Sequence, residues 1–201
     1  MNTWFTGDHH FGHNNIIKYC NRPFEDSNHM DEMLILEWNQ VVKEDDVVWH
    51  LGDFTMGHIA DFESYCARLN GSMFILPGNH DWAWMKSAPQ NRRQQYVLCT
   101  MASYSNLAIL VNNIMLYPQK KCPITLCHYA MRVWDRSHFN SYQLHGHSHG
   151  MLEPQGKQMD VGVDNIYKLF GRYRPISITE INEYMLDRPD NFNYISKEER
   201  R

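Results

Sequence analysis

One arrangement of residues recurs three times in the first half of the chain and constrains its fold: a short apolar run, a glycine, and then side chains that bind metals or anions. The three copies are residues 2–6 before Gly7-Asp8-His9-His10, residues 46–51 before Gly52-Asp53, and residues 73–76 before Pro77-Gly78-Asn79-His80-Asp81. Short apolar runs that end at glycine are typical of buried strands. Because a rigid scaffold commonly places binding groups in the loops at strand ends, the recurrence predicts strands that deliver one site at one edge.

Two later apolar runs add histidines to the predicted edge. Residues 124–127 lead to His128, and residues 142–144 lead to His145-Gly146-His147-Ser148-His149-Gly150. Imidazole is the commonest nitrogen ligand of metals. In an extended backbone His147 and His149 would point to the same side, while the glycines indicate a sharp turn or a close approach of the backbone. By itself the segment is equally compatible with a histidine-rich surface loop.

The remaining elements are predicted from apolar spacing and turn residues. Helices are expected over residues 28–42 with Ser27 or Asn28 as the cap, over residues 60–69, and after Ser177, which has capping-box spacing with Glu180. We expect a loop with one helical turn over residues 11–25, a hairpin of residues 107–111 and 114–117 around Asn112-Asn113, and a late strand over residues 158–163. Residues 82–103 fit either a mobile helix or a lid, and the tail after Arg188 is expected to fray.

Composition excludes several classes of protein. The 201 residues are 43% hydrophobic and 21% charged, which indicates one soluble globular domain. A formal net charge of -4 gives no general nucleic-acid footprint, although it leaves room for a local basic patch. Five cysteines without a Cys-x-x-Cys pair favour a reducing compartment over a disulfide framework. With neither a basic start nor a long apolar stretch, we expect a cytoplasmic protein without a membrane partner.

The side chains at the strand ends form a donor set that suits divalent metals. The candidate ligands are Asp8, His10, Asp53, Asn79, His128, His147 and His149. Carboxylate, amide oxygen and imidazole together suit Mn, Fe, Zn or Ni, and the lack of cysteine speaks against a closed structural zinc site. A carboxylate has two oxygens, so one aspartate could bridge two ions. His50 and His145 are expected to pack or support the ligands, and Asp81 either to orient His80 or to form a cap or salt bridge.

In their order, these motifs resemble those of the calcineurin-like metallophosphoesterase superfamily: Asp-x-His, Gly-Asp, Gly-Asn-His-Asp/Glu, a single His and Gly-His-x-His. The matching residues are Asp8-His9-His10, Gly52-Asp53, Gly78-Asn79-His80-Asp81, His128 and Gly146-His147-Ser148-His149. One Asp-x-His is weakly diagnostic, whereas the ordered set spans residues 8–149 and is highly specific. The resemblance implies an α/β fold: a four-layer α-β-β-α sandwich of two packed mixed β-sheets flanked by helices, in a single domain over residues 1–201.

The resemblance also implies a site for two divalent metal ions. One ion would be held by Asp8, His10, Asp53 and His149, and the other by Asp53, Asn79, His128 and His147, with Asp53 as the bridge. Two ions can orient a phosphate, lower the pKa of a shared water and neutralise charge in an in-line displacement. The implied reaction is attack of a metal-bound hydroxide on a phosphoester, with His80 assisting the leaving oxygen.

The sequence around the first motif is similar to a phage and bacterial subgroup that has Asp-x-His-Phe-Gly-His-x-Asn-Ile-Ile followed by Arg-Pro-Phe. In this chain the similarity covers His13 and Arg22. These two residues would contact substrate phosphate, although a role in shaping the loop is equally compatible. Arg132, next to Trp134, is a further candidate, with surface packing as the alternative. Gly52-Asp53 lacks the Asp-Arg-Gly that follows in Ser/Thr protein phosphatases. We therefore expect a small phosphorylated substrate, by preference a phosphodiester, a nucleotide or a cyclic nucleotide.

Two other classes of function fit parts of the sequence. A non-catalytic metal-dependent binding or scaffold protein on the same fold would bind metal without turnover. An HD-type phosphohydrolase, suggested by His80-Asp81, would be a helical domain. Gly78-Asn79 after an apolar run and the histidines at 147 and 149 argue against that second class.

Overall fold

The computed structural model describes residues 1–87, 98–100, 107–110, 114–117, 123–196 and 198–199. In chain order its strands are β1 Thr3–Thr6, β2 Val47–His50, β3 Ser72–Ile75, β4 Leu98–Thr100, β5 Leu107–Leu110, β6 Ile114–Tyr117, β7 Ile124–Cys127, β8 Gln143–His145, β9 Gln158–Asp160 and β10 Ile176–Ser177. Its helices are α1 Asn14–Tyr19, α2 Ser27–Val41, α3 Ile59–Cys66, α4 Trp82–Ser87, α5 Val163–Phe170 and α6 Ile178–Leu186, and a 3₁₀ turn spans Ser137–Phe139.

The described strands form two mixed sheets. The first sheet has the order β10-β1-β2-β3-β5-β4, and the second has the order β6-β7-β8-β9. In the first, β1, β2, β3 and β5 run parallel, with Thr6 opposite His50 and His50 opposite Ile75. In the second, β7, β8 and β9 run parallel. Because parallel strands in register end at the same edge, the loops after β1, β2 and β3 emerge side by side.

Alternate residues of the first sheet face two different apolar clusters. Val48 and Met73 pack in a cluster with Trp38 of α2 and Phe62 of α3. On the opposite face, a second cluster joins residues of both sheets, among them Phe5 of β1, Leu126, Leu144 and Met159. A strand presents successive side chains to opposite faces, so the first sheet is buried on both sides. The chain is therefore α/β, with two packed sheets flanked by helices, as predicted.

The prediction for residues 107–117 was wrong. The two apolar runs were expected to pair as a hairpin, but β5 pairs with β3 and β4 in the first sheet, whereas β6 pairs with β7 in the second. Two short strands separated by asparagines carry the same local signal whether the chain turns back or crosses between sheets. The predicted turn at Asn112-Asn113 lies outside the described residues.

Two expectations about the last third of the chain also need correction. The strand predicted over residues 158–163 ends at Asp160, and helix α5 begins at Val163 with Gly171 in a left-handed conformation at its end. The tail was expected to fray after Arg188, but Asn191 is buried and its side-chain amide donates to the carbonyls of Ser137 and Ser141. Satisfied backbone acceptors, rather than apolar side chains, hold this polar tail.

Helix boundaries agree with the predictions to within a few residues. Helix α2 is capped by the Asp26 carboxylate, which accepts from the His29 backbone at 2.8 Å, and not by Ser27 or Asn28. Ser177 and Glu180 form the predicted capping box of α6. Of the segment predicted as a mobile helix or lid, residues 88–97 and 101–103 lie outside the described part. Among the helices that the structure describes, none has the length and apolarity to cross a membrane.

Candidate metal centre

Two groups of potential metal ligands lie next to each other at the strand-end edge. Asp8, His10 and His149 form the first ligand group, and Asp53, His128 and His147 form the second; within each, the donor atoms lie within 4.8 Å of one another. One oxygen of Asp53, Oδ2, lies 3.6 Å from Nε2 of His10 and 3.5 Å from Nε2 of His128. The Asp53 carboxylate therefore adjoins both groups.

The remaining predicted ligand, Asn79, lies beside the second ligand group. Its Oδ1 lies 3.1 Å from Nε2 of His128. The structure thus brings all seven predicted ligands together, although they come from five separate loops of the chain. Both groups contain only carboxylate, amide and imidazole donors, which suit hard and borderline divalent ions.

Most of these residues have an unusual backbone conformation. Asp8, His10, Asp53, His147 and His149 all have positive φ, between 49° and 67°. Non-glycine residues rarely adopt this region, and holding one there costs on the order of 1–3 kcal/mol. Such strain concentrates at functional sites, where the surrounding structure holds the residue in place.

Gly146 serves a different purpose from the turn that its position suggests. The φ angle of Gly146 is not positive, so the backbone there does not require glycine. A Cβ built on it would lie 2.7 Å from Oδ2 of Asp8. The backbone N–H of His147 donates to both oxygens of the same carboxylate, at 3.0 and 2.9 Å. Glycine at 146 therefore permits the close approach that lets the histidine loop grip Asp8.

Hydrogen bonds to one ring nitrogen orient two of the histidines. Nδ1 of His128 lies 2.7 Å from the carbonyl of Leu51, which can only accept, so Nδ1 carries the proton and Nε2 faces Asp53. Nδ1 of His149 lies 2.7 Å from Oδ2 of Asp164, leaving Nε2 for the first ligand group. A second partner of this kind fixes the ring and raises the basicity of a metal-ligating histidine.

His10 provides a test of whether the first ligand group fits a metal. Both of its ring nitrogens are buried, and neither has a hydrogen-bond partner among the described residues. A buried polar group without a partner is destabilising by about 1–3 kcal/mol. A divalent ion beside Asp8 and His149 would satisfy one nitrogen of His10. The residues of the first ligand group therefore fit a bound metal ion.

Burial acts in the same direction on Asp8 and Asp53, but their neighbours give the two carboxyl groups opposite pKa shifts. Burial raises the pKa of Asp8 to about 7, with further increases from Asp160 and Asp53. Burial would also raise the pKa of Asp53, but its hydrogen bond with His128 and the nearby charges of His128 and His10 hold that pKa below its usual range. Burial lowers the pKa of His10 strongly, which keeps the ring neutral and able to ligate.

Of the two roles considered for Arg22, contact with substrate phosphate and shaping of the loop, the contacts of Arg22 support the second. Its guanidinium is fully buried and makes a bidentate pair with Asp164, through Nε and Nη2 at 2.8 Å each. It also donates to the backbone carbonyls of Asp8 and His9. All three nitrogens of the planar guanidinium donate hydrogen bonds within the protein, so Arg22 holds the loop after β1 against α5.

Sequence reasoning missed Asp164, because the predicted strand ended at residue 163 and no helix was predicted after it. Burial opposes its charge, but the hydrogen bond with His149 and the charge of Arg22 hold the Asp164 pKa below its usual range. Burial lowers the pKa of His149, but its hydrogen bonds with Asp164 and Cys20 and the charges of Asp8 and Asp164 outweigh burial and raise that pKa to about 11. The Gly162–Asp164 turn at the start of an amphipathic helix is the signal that could have identified it.

Two further buried carboxylates fasten the loops together. Asp81 accepts from the backbone N–H groups of Asp53, Phe54 and Gly78 and from the Trp84 indole, at 2.7–2.9 Å. It therefore joins the loops after β2 and β3. Asp160 accepts in the same way from Ser148, Gly150 and Gly162.

His50 and His145 are buried, in agreement with the expected packing roles. Nε2 of His50 lies 2.9 Å from Nδ1 of His9, and Nδ1 of His50 accepts from the Gly52 backbone. Nδ1 of His145 lies 2.8 Å from the carbonyl of Gly146. Both rings are used to shape the ligand-bearing loops.

A cavity of about 470 Å³ opens beside the first ligand group. Its walls include His10 and His149 together with His13 and His80. The His80 ring lies 5.2 Å from the His10 ring, and the His80 backbone N–H donates to Oδ1 of Asp53 at 2.8 Å. His80 and His13 therefore border the open space next to the candidate ligands.

Two other side chains, one of them considered from the sequence, lie outside the two ligand groups. Cys20 lines the same cavity and forms a third cluster of donor atoms with His149 and Asp164. Arg132 lies on the surface, where it donates to Gln155 and stacks over the Phe192 ring at 3.9 Å. Arg132 is therefore engaged in surface packing, the alternative considered for it.

Comparison with known proteins supports the fold. No family model matches the chain. It is 29% identical over 184 residues to an uncharacterized protein of Methanocaldococcus jannaschii, with 87% of this chain and 86% of that protein covered. The gene 66 protein of Mycobacterium phage D29 is 27% identical over 203 residues, covering 92% and 96%. A protein of unknown function from Aquifex aeolicus has a similar crystal structure, with a TM-score of 0.60, 20% identity, and 91% and 98% coverage.

Proposed function

We propose that the protein is a dinuclear metal-dependent phosphoesterase with the four-layer fold of the calcineurin-like metallophosphoesterases. The observation that carries this proposal is the position of Asp53, whose Oδ2 lies between His10 and His128 at 3.6 and 3.5 Å. A carboxylate between two sets of imidazole and carboxylate donors is suited to bridge two ions. A single-ion site would need only one of the two ligand groups.

Each candidate ligand has a defined place in this proposal. The first ion would be held by Asp8, His10, Asp53 and His149, and the second by Asp53, Asn79, His128 and His147. When bound, two such ions polarise a phosphate, lower the pKa of a shared water and neutralise charge that develops in the displacement. The protein positions their ligands through strained backbone and through the buried carboxylates Asp81, Asp160 and Asp164.

His80 is the proposed general acid. It borders the cavity, its ring is not engaged with a carboxylate in any described contact, and its backbone is fixed by the bond to Asp53. A histidine in this place can give a proton to the leaving ester oxygen. His13 lies on the same cavity, where its ring could contact a phosphate oxygen.

A phosphodiester or nucleotide-type substrate is preferred over a phosphomonoester. No lysine or arginine is among the described residues that line the cavity, and Arg22 is committed to Asp164. A diester carries one negative charge, so it depends less on additional cationic side chains than the dianion of a monoester does. Cyclic nucleotides belong to the same class of substrate.

The experiment that tests the proposal is a metal-reconstituted activity screen. Protein stripped with chelator is supplied separately with Mn, Ni, Fe, Zn or Mg and is assayed with p-nitrophenyl phosphate, bis-p-nitrophenyl phosphate and cyclic nucleotides. We expect hydrolysis of the diester that chelator abolishes. Absence of turnover with every metal would reject the enzyme, and activity on the monoester alone would reject the diester preference.

The alternative is a metal-dependent binding or scaffold protein that retains both ions but has no activity. Metal analysis by mass spectrometry separates the two, because the scaffold predicts about two ions per chain and no product. The other rival, an HD-type phosphohydrolase, requires a helical domain and is inconsistent with two packed sheets.

A further inference from the structure

The cavity beside the first ligand group is lined by both polar and apolar side chains. The polar ones include His10, His80 and His149, and the apolar ones are contributed by Ile16, Tyr19 and Met151. Tyr19 and Met151 are 75% and 87% exposed, so two large hydrophobic side chains stand open to solvent next to the candidate ligands. Hydrophobic side chains that meet at a cavity mark a place where an apolar group binds.

The Tyr19 side chain is largely exposed at the cavity, so its ring is accessible to an occupant. It is the last residue of α1, and its ring meets the His13 ring edge to face, with centroids 6.4 Å apart. A flat aromatic group can stack on such a ring, and stacking is tolerant of the identity of the group. A methionine nearby adapts its shape to an aromatic neighbour.

Away from the candidate ligands, the cavity offers no cationic side chain among its described lining residues for a second anionic group. Its described lining contains neither lysine nor arginine, while Asn21 adds an uncharged hydrogen-bonding side chain. Its volume of about 470 Å³ is within the usual range for small-molecule sites and is sufficient for one group of nucleoside size. An uncharged, flat occupant with hydrogen-bonding edges suits these walls better than a second phosphate does.

We propose that this cavity binds the leaving alcohol of the substrate, and that this alcohol is a flat, uncharged group: a nucleoside or an aryl alcohol that stacks on Tyr19. The inference rests on the proposed function, since it places the ester oxygen assisted by His80 at the cavity that His80 lines. Hydrolysis would break the bond between phosphorus and this ester oxygen. Water would supply the oxygen that bonds to phosphorus and the proton that the alcohol carries away.

The test compares two diesters that differ only in the shape of the leaving group. Methyl phenyl phosphate and methyl hexafluoroisopropyl phosphate share the retained methyl group, and their leaving alcohols have similar acidity. We expect wild-type protein to prefer the phenyl ester in kcat/KM, and Tyr19→Ala to lower that preference about tenfold. Tyr19→Phe retains the ring and should retain the preference.

Leu186→Ala is the matched control, because Leu186 is 78% exposed and does not line the cavity. It should leave both rates unchanged. If both diesters are hydrolysed and Tyr19→Ala leaves their ratio unchanged, the stacking proposal is wrong while the phosphoesterase stands. If neither diester nor any substrate of the metal screen is hydrolysed, the proposed function itself is wrong.

The two sources of a flat alcohol are separated by inhibition. Free adenosine and free phenol are each added to the assay with methyl phenyl phosphate. Stronger competitive inhibition by adenosine than by phenol would assign the cavity to a nucleoside, and the reverse order would assign it to an aryl alcohol. Loss of either inhibition in Tyr19→Ala is expected, and inhibition that persists there would contradict the proposal.

Discussion

The two ligand groups are held in place by different kinds of contact. The first depends on side chains that are far apart in sequence: Asp164 of α5 orients His149, and Arg22 ties Asp164 to the loop that carries Asp8. If Asp164 is lost, the guanidinium of Arg22 is left buried without its partner. The geometry of the first group therefore depends on one ion pair.

The second ligand group is held mainly by the loops that carry it. The Leu51 carbonyl orients His128, and Asp81 gathers the backbone N–H groups after β2 and β3. None of these contacts involves α5. The two groups also meet at Asp53, which adjoins both, and at the His147 backbone, which donates to Asp8. A change in α5 is therefore expected to affect the first group more than the second.

The largest effect is expected for Asp53→Asn. Loss of the carboxylate charge between the two groups should lower metal content from two ions to one or fewer per chain. With loss of about 4 kcal/mol of transition-state stabilisation, activity should fall roughly a thousandfold. Metal analysis by mass spectrometry and diester hydrolysis measure the two effects. Retention of two ions with full activity would mean that Asp53 is no bridge.

His80→Ala is expected to lower turnover roughly a hundredfold while both ions remain bound. His80 borders the cavity next to the first ligand group but contributes no donor atom to either group. The comparison of kcat with metal content therefore separates a catalytic neighbour from a ligand. Loss of both metals in this variant would show that His80 supports the ligands instead.

Much of the site was predictable because metal-ligand residue types follow strands at regular intervals. Asp8, Asp53 and His128 could be identified from the residue pattern alone, since parallel strands bring such loops to one edge. The residues that orient these ligands could not be identified in the same way. Asp164 and Arg22 are 142 positions apart, and nothing local in the sequence states that they pair.

The fold was predictable to the same extent. Strands β1, β2, β3 and β7 were located closely, because each is a short apolar run with a clear end. The sequence did not show that β5 and β6 belong to different sheets, because sheet membership depends on long-range pairing. Local sequence patterns therefore predicted which strand ends carry the candidate ligands. The residues that orient these ligands are brought together by tertiary contacts, which the patterns do not contain.

Asp164→Asn tests whether the first ligand group alone depends on α5. With the charge on Asp164 removed, His149 loses the partner that orients it, and we expect affinity for one of the two ions to fall about 10–100-fold. Metal titration should resolve one weakened and one unchanged site. Asp187→Asn, an exposed change at the end of α6, is the control. Equal weakening of both sites would contradict the separation of the two groups.

The last prediction concerns the stability of the metal-free protein and distinguishes Asp8 from Asp53. Burial raises the folded pKa of Asp8 to about 7, above its unfolded value, so its contribution to stability is greatest at low pH and is lost as pH rises through 7. The pKa of Asp53 is lowered instead, so its contribution is present at neutral pH and is lost on acidification. In chelator, Asp8→Asn should thus gain up to about 4 kcal/mol over wild type at pH 8 and nothing at pH 4. Urea unfolding at the two pH values measures this, and a gain that is independent of pH would show that the buried charge of Asp8 is not its cause.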